Sequence, residues 1–203
     1  MRVFDTDDPL AEFLQGKIAK VCIEIDGRAR ADGPIPALLL PGSFNPLHEG
    51  HCTLATVAAR LLAAPAAFEL TVVNADKPPL VQEEVRRRLT QFVGRAPIWL
   101  TRAPTFPEKA RLFPGTTFVV GADTAARIVA PRFYQDSEER MVEALEEFRK
   151  QDCRFLVAGR LDKNGRFAGL EDIDMPTAFS DLFTSIPEAE FRFDISSTQL
   201  RTP

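Results

Sequence analysis

His48 and His51 are the whole histidine complement of this 203-residue chain, and they stand three residues apart in the stretch GSFNPLHEGH. Two imidazoles at that spacing can hold a metal or polarise an anion. The wording disfavours a metal. HExxH sets its histidines four apart within a helix, Gly50 is a poor helix-interior residue, and neither a third histidine nor a cysteine cluster offers further ligands. An anion fits better. Gly42 and Ser43 allow close backbone approach after a strand, Gly50 opens a helix, and both imidazoles fall where helix amide groups attract negative charge. A capped turn with two surface histidines is the plainer alternative.

The segments around this loop alternate between strand and helix. Residues 37–40 form a short apolar run ending in Pro-Gly, as a buried parallel strand would. Residues 51–62 place Leu54, Val57, Ala58, Leu61 and Leu62 at helical spacing. Residues 68–74 (FELTVVN) read as the next strand, closed by the prolines that follow Lys77. Val81, Val85, Leu89 and Phe92 stand one turn apart and predict an amphipathic helix over 81–92. PIWLT is then a strand, TFPEKARLF a loop with a short helix, and TFVVGAD a strand that stops at Gly121 and Asp123. The stretch 136–150 predicts a helix with Met141, Leu145 and Phe148 inward, and CRFLVAG a strand. The segment after Asn164-Gly165 reads as irregular up to Pro187, and EFRFDIS as a final half-exposed strand. Repeated strand-helix-strand units predict a doubly wound, Rossmann-like parallel α/β sheet with helices on both faces. Ligands of such sheets lie at the carboxyl ends of the strands, where GSFNPLHEGH, NADKPPL, GADT and ISSTQLR fall.

We read residues 37–203 as this domain and residues 1–36 as a segment of unknown role in which KVCIEID alternates like an edge strand. A longer parent chain is one reading of that segment. With 45% hydrophobic residues, 27% charged residues and mean hydropathy of −0.10, the composition is that of a globular protein. Twenty-five basic against twenty-nine acidic residues leave a net charge of −4 and a pI of about 5.3, which argues against a nucleic-acid partner held by bulk positive charge. Three cysteines without a paired spacing fit a reducing compartment, and with neither a signal peptide nor a long apolar run the expectation is a cytoplasmic protein with no membrane partner.

Other residues near strand ends carry their own alternatives. Lys77, on a loop stiffened by two prolines, is either a phosphate-binding cation or a solvated lysine. Trp99 and Phe106 offer rings that could stack on a flat base, although a strand tryptophan is commonly core. Ser196, Ser197 and Thr198 with Arg201 one turn on suit a phosphate at a helix start, or an ordinary N-cap with an exposed arginine. Arg86, Arg87 and Arg88 fan around a helix, so most of that run reads as a solvated face.

GSFNPLHEGH resembles the GxFxPxHxGH motif of the nucleotidyltransferase superfamily that includes nicotinate- and nicotinamide-nucleotide adenylyltransferases, pantetheine-phosphate adenylyltransferase and cytidylyltransferases. The stretch Ile195-Ser196-Ser197-Thr198 with Arg201 resembles the second signature, ISSTxxR, and Gly121 to Asp123 the strand-end GxD of the pyridine-nucleotide members. The resemblance covers about residues 37–201. It implies that a phosphate oxygen of an acceptor attacks the α-phosphorus of a Mg²⁺-bound nucleoside triphosphate, with pyrophosphate leaving. It also implies that His51 contacts the α-phosphate, His48 the triphosphate chain, and the backbone near Gly42, Ser43 and Phe44 the same phosphates. Ser196, Ser197 and Thr198 would present hydroxyls and amides, Arg201 would grip the β- or γ-phosphate, and Asp123 would lie near a ribose unless it caps the helix after it. The chain stops two residues after Arg201, which leaves little of the family's final helix. ISSTQLR is nearer to the pyridine-nucleotide wording than to the cytidylyl signature, so the resemblance favours ATP as donor and a pyridine mononucleotide as acceptor, bound by Lys77, Asp123 and Trp99 or Phe106. A cytidylyltransferase acting on another phosphomonoester and a regulatory nucleotide-binding module without turnover are the alternatives.

Overall fold

Leu38, Leu39 and Leu40 alternate sides as a strand must, and all three are buried, so the strand they form has a core on each face. This pattern recurs through the computed structural model, which describes residues 8–73, 78–161 and 165–192. In chain order its elements are α1 (Pro9–Leu14), β1 (Lys20–Ile23), β2 (Ala29–Arg30), β3 (Leu38–Pro41), α2 (Glu49–Leu61), β4 (Ala66–Thr71), α3 (Gln82–Leu89), β5 (Ile98–Thr101), α4 (Phe106–Leu112), β6 (Thr117–Gly121), α5 (Ala122–Ile128), α6 (Glu138–Lys150), β7 (Arg154–Ala158), β8 (Arg160–Leu161), β9 (Phe167–Ala168) and β10 (Phe183–Ile186).

Eight strands form one sheet in the order β10-β7-β6-β3-β4-β5-β1-β2, and β8 pairs with β9 as a separate ribbon. From β10 to β5 every pairing is parallel. Those six strands follow the Rossmann order, with the chain reversing direction across the sheet between β3 and β6. The structure is therefore the doubly wound α/β fold that the strand-helix alternation predicts. Leu38, Leu40, Phe68, Leu70, Ile98 and Leu100 pack one face against α2 and α3. Leu39, Ala67, Trp99, Phe118 and Val120 pack the other against α4, α5 and α6.

Three expectations change. The last strand among the described residues is β10, inside the stretch read as irregular; FTSI alternates poorly, and its parallel pairing with β7 makes it a strand. Glu190, Phe191 and Arg192 of EFRFDIS are not in a strand, and the rest of that motif lies outside the described residues. KVCIEID yields β1, but as an interior strand between β5 and β2, with Val21, Cys22 and Ile23 buried. It runs antiparallel to β5, in the register Val21 to Leu100 and Cys22 to Trp99. The range read as a segment of unknown role thus contains α1 and two strands of the sheet.

Boundaries move for local reasons. The strand over 68–74 begins two residues earlier, as β4. The helix after the histidine loop begins at Glu49, because His48 keeps an extended backbone (φ −138°, ψ 169°) and serves as its N-cap. TFPEKARLF is chiefly helix: Pro107 suits a first turn, and Thr105 with Glu108 forms a capping box.

Candidate active site

The loop from Gly42 to His48 leaves β3 beside the reversal point and is shaped by one aromatic ring. Phe44 has a left-handed backbone (φ 44°) and is fully buried, edge-on to Phe68 at 5.4 Å, Phe92 at 5.2 Å and His51 at 5.1 Å. That ring accounts for Gly42. A Cβ there would stand 2.6 Å from Phe44 Cε1, a separation that side chains do not tolerate. The sequence reading gave Gly42 a phosphate-approach role; the structure gives it a packing role as well.

Helix α3 and the turn after it grip the loop from one side. Arg88 donates to the Ser43 carbonyl at 2.8 Å, Gln91 Nε2 to the Phe44 carbonyl at 2.9 Å, and the Leu47 amide to Gln91 Oε1 at 2.8 Å. Arg87 reaches Asn45 at 2.6 Å. Glu84 braces Arg88 at 2.7 Å, and the two guanidiniums, Arg87 foremost, hold its carboxyl down at about 2. Arg88 is buried. The run read as mostly solvated therefore contains one residue that carries the loop; its signal was the Glu84-Arg88 pair one helical turn apart.

At the start of α2 the two imidazoles stack, with ring centroids 3.7 Å apart and planes 28° from parallel. The His48 amide donates to His51 Nδ1 at 3.3 Å. An accepting Nδ1 carries no proton, so the neutral ring has its hydrogen on Nε2, on the side away from the cap. Burial, with the neighbouring His48 as a smaller cause, lowers the pKa of His51 to about 4, and burial lowers that of His48. Both rings are neutral at pH 7. They offer N–H donors beside the first turn of a 13-residue helix, a surface suited to phosphate oxygens.

Across the reversal point, β6 ends at Gly121, the N-cap of α5, where an added Cβ would meet no atom within 4 Å. Asp123 is therefore not the N-cap, which corrects one of its two readings. Its side chain is 64% exposed and pairs with Arg160 at 2.5 Å. Because β3 and β6 are neighbours, the histidine loop and Gly121–Asp123 border one crevice.

The acceptor candidates fare unevenly. Trp99 is 2% exposed, its ring edge-on to Phe113 at 5.2 Å and close to where a Cβ on Gly33 would stand. Position 99 of β5 faces α4, so the ring is core and not a stacking platform. Phe106 opens α4 half-buried, edge-on to Phe155 at 5.1 Å and Phe118 at 5.7 Å. Lys77, Ser196, Ser197, Thr198 and Arg201 lie outside the described residues.

Two further charges escaped the sequence reading. Glu69 and Lys109 form a buried ion pair at 2.7 Å on the α4 face. Its legible signal was the glutamate inside the apolar run AAFELTVV. Among the described residues no group of three or more His, Cys, Asp or Glu side chains could hold a metal ion, and no helix is long and apolar enough to cross a membrane.

A Rossmann-ordered sheet with an anion-ready helix start at its reversal point defines a nucleotide-binding α/β protein. The model of one such family, cytidylyltransferase-like, matches residues 39–203, most of the chain, and the protein belongs to it. Its general chemistry is nucleotidyl transfer between a nucleoside triphosphate and a phosphorylated acceptor. No curated protein matches the chain.

Proposed function

We propose that the protein transfers the adenylyl group of ATP to the phosphate of a pyridine mononucleotide and releases pyrophosphate. The observation that carries this reading is the stacked His48–His51 pair at the start of α2. An acceptor phosphate oxygen attacks the α-phosphorus in line, the bond to the bridging oxygen breaks, and the electron pair leaves with pyrophosphate. No covalent enzyme intermediate is required. The protein's work is to align two polyanions and to stabilise charge on the α-phosphate. His51 Nε2–H donates to a non-bridging α-phosphate oxygen, His48 to the triphosphate chain, and the amides from Ser43 onward to the same chain. Mg²⁺ arrives as part of the substrate, on the triphosphate.

By resemblance, Ser196, Ser197, Thr198 and Arg201 complete the triphosphate grip, while Lys77, Phe106 and Asp123 receive the acceptor. Asp123 must then exchange its ion pair with Arg160 for a ribose hydroxyl. We assign the reaction to the cytoplasm, a reading supported by three free thiols, Cys22, Cys52 and Cys153.

Pyrophosphate release, measured with ATP or CTP against nicotinate mononucleotide, nicotinamide mononucleotide, phosphopantetheine and phosphocholine, tests this. ATP with a pyridine mononucleotide is the expected pair. The family's description favours cytidylyl transfer as a second reading, and turnover with CTP alone selects it. Triphosphate binding without turnover of any pair refutes both.

A further inference from the structure

The side chain of Glu69 is buried in the middle of a parallel sheet, a costly place for a charge unless its partners are many. Its partners converge on one oxygen. Oε1 accepts from Lys109 Nζ at 2.7 Å, from the Thr71 hydroxyl at 2.7 Å and from the Thr101 hydroxyl, while Lys109 also donates to Thr71. The other oxygen, Oε2, is buried with no hydrogen-bond partner among the described residues.

The partners' positions give the cluster its meaning. Thr71 is the last residue of β4, Thr101 is the last of β5, and Lys109 lies in α4, just beyond the loop that follows β5. One carboxylate oxygen therefore ties down both ends of the 102–105 loop and the exit of β4. Core packing alone does not require this, because an apolar pair of similar volume holds such a site at least as well. The triphosphate side is held separately, by Arg88 and Gln91 from the opposite face of the sheet. The Glu69 backbone carbonyl accepts from the Gly42 amide at 2.9 Å, a bond that side-chain changes leave intact.

We propose that Glu69, through Lys109, Thr101 and Thr71, is the positioning residue for the acceptor half of the crevice, holding the end of β4 and the 102–105 loop in the geometry that receives the acceptor without touching it. This rests on the nucleotidyl-transfer reading. Lys109→Met alone would leave a buried, unpaired carboxylate, so the informative variant is Glu69→Met/Lys109→Met, which removes both charges. Its melting temperature should stay close to that of the unaltered protein, and triphosphate affinity within about twofold, while acceptor KM rises ~10- to 100-fold with a smaller change in kcat. An unchanged acceptor KM overturns the proposal and leaves the pair as a brace, and an equal loss of triphosphate affinity overturns it as general loosening. If the double variant does not fold, Thr101→Val, which cuts the tether at the leading end of the loop, is read by the same criteria. Amide hydrogen exchange separates this inference from the reaction itself. Exchange should quicken at 102–105 and stay unchanged at 43–51 in either variant, whether or not any acceptor turns over. Absence of that contrast overturns the positioning role, whereas absence of turnover in the unaltered protein overturns the transferase reading.

Discussion

In the proposed reaction His51 carries most of the chemistry, and its tautomer is set by the backbone rather than by another side chain. Because the His48 amide occupies Nδ1, the Nε2–H is available to a phosphate without a proton first being gained or lost. Donors aimed at developing charge act mainly in the transition state. His51→Ala should accordingly lower kcat by about 10²- to 10³-fold at saturating ATP, with acceptor binding little changed and His48→Ala milder. Steady-state kinetics decide it, and an unaltered rate removes the phosphate role of the loop. The same burial gives a pH signature. With the folded pKa of His51 at about 4 against an ordinary 6.5, the unfolded chain binds the proton first, so stability rises with pH across that window and this group adds no slope above it. Thermal melts between pH 4 and 7 should show that rise, and His51→Asn should flatten it. Arg88→Ala, which frees the Ser43 carbonyl, should weaken triphosphate binding by about tenfold in a direct titration, since charge-assisted hydrogen bonds contribute roughly 1.5–3 kcal/mol.

At the scale of elements, the histidine side of the site is a strand end, a loop and a helix start held by Arg88 and Gln91, while a buried charge cluster on the other face of the sheet ties the end of β4 to the 102–105 loop. Gly42→Ala would drive a methyl group into the Phe44 ring and should lower stability by about 1–3 kcal/mol, measured by denaturant unfolding. Lys109→Met should cost more, about 3–5 kcal/mol, since it strands the Glu69 carboxylate, and the paired substitution should recover most of that loss. The sequence made the strand-end loops legible because apolar runs stop abruptly at Gly, Pro or Asp, and it made α6 legible because its buried Met141, Leu145 and Phe148 recur at helical spacing; of the residues that marked α2, Val57 and Ala58 are buried while Leu61 and Leu62 are exposed. It hid β10, whose FTSI lacks alternation, while the core position of Trp99 was the commoner of its two readings. Arg88 was hidden among three arginines until the helix was docked. Glu69 could have been found, as a charge inside an apolar strand, but its partners come from Thr101 and Lys109, whose closeness is a product of the fold.

For the whole molecule, the parallel Rossmann order places the histidine loop and Gly121–Asp123 on neighbouring strands, and the antiparallel pair β1–β2 extends the sheet beyond β5. Deleting residues 1–31 would bare the β5 edge along with the apolar surface that Val21, Cys22 and Ile23 cover. Such a shortened chain should aggregate, as seen by light scattering at micromolar concentration, and a soluble, monodisperse product would show that the parallel strands stand alone. The β1–β5 pairing also imposes an order in time. During synthesis β1 leaves the ribosome well ahead of β5, and β3, α2, β4 and α3 must all follow before its partner exists. Until then β1, paired only with the short β2, is an apolar strand with one open edge, a natural client for a chaperone. In refolding, where the whole chain is present at once, closing so long a loop still falls behind the nearer β3–β4 contact. Pulse-labelled amides of Val21 and Ile23 should gain protection after those of β4, so that the β5 edge of the sheet is sealed after its parallel centre.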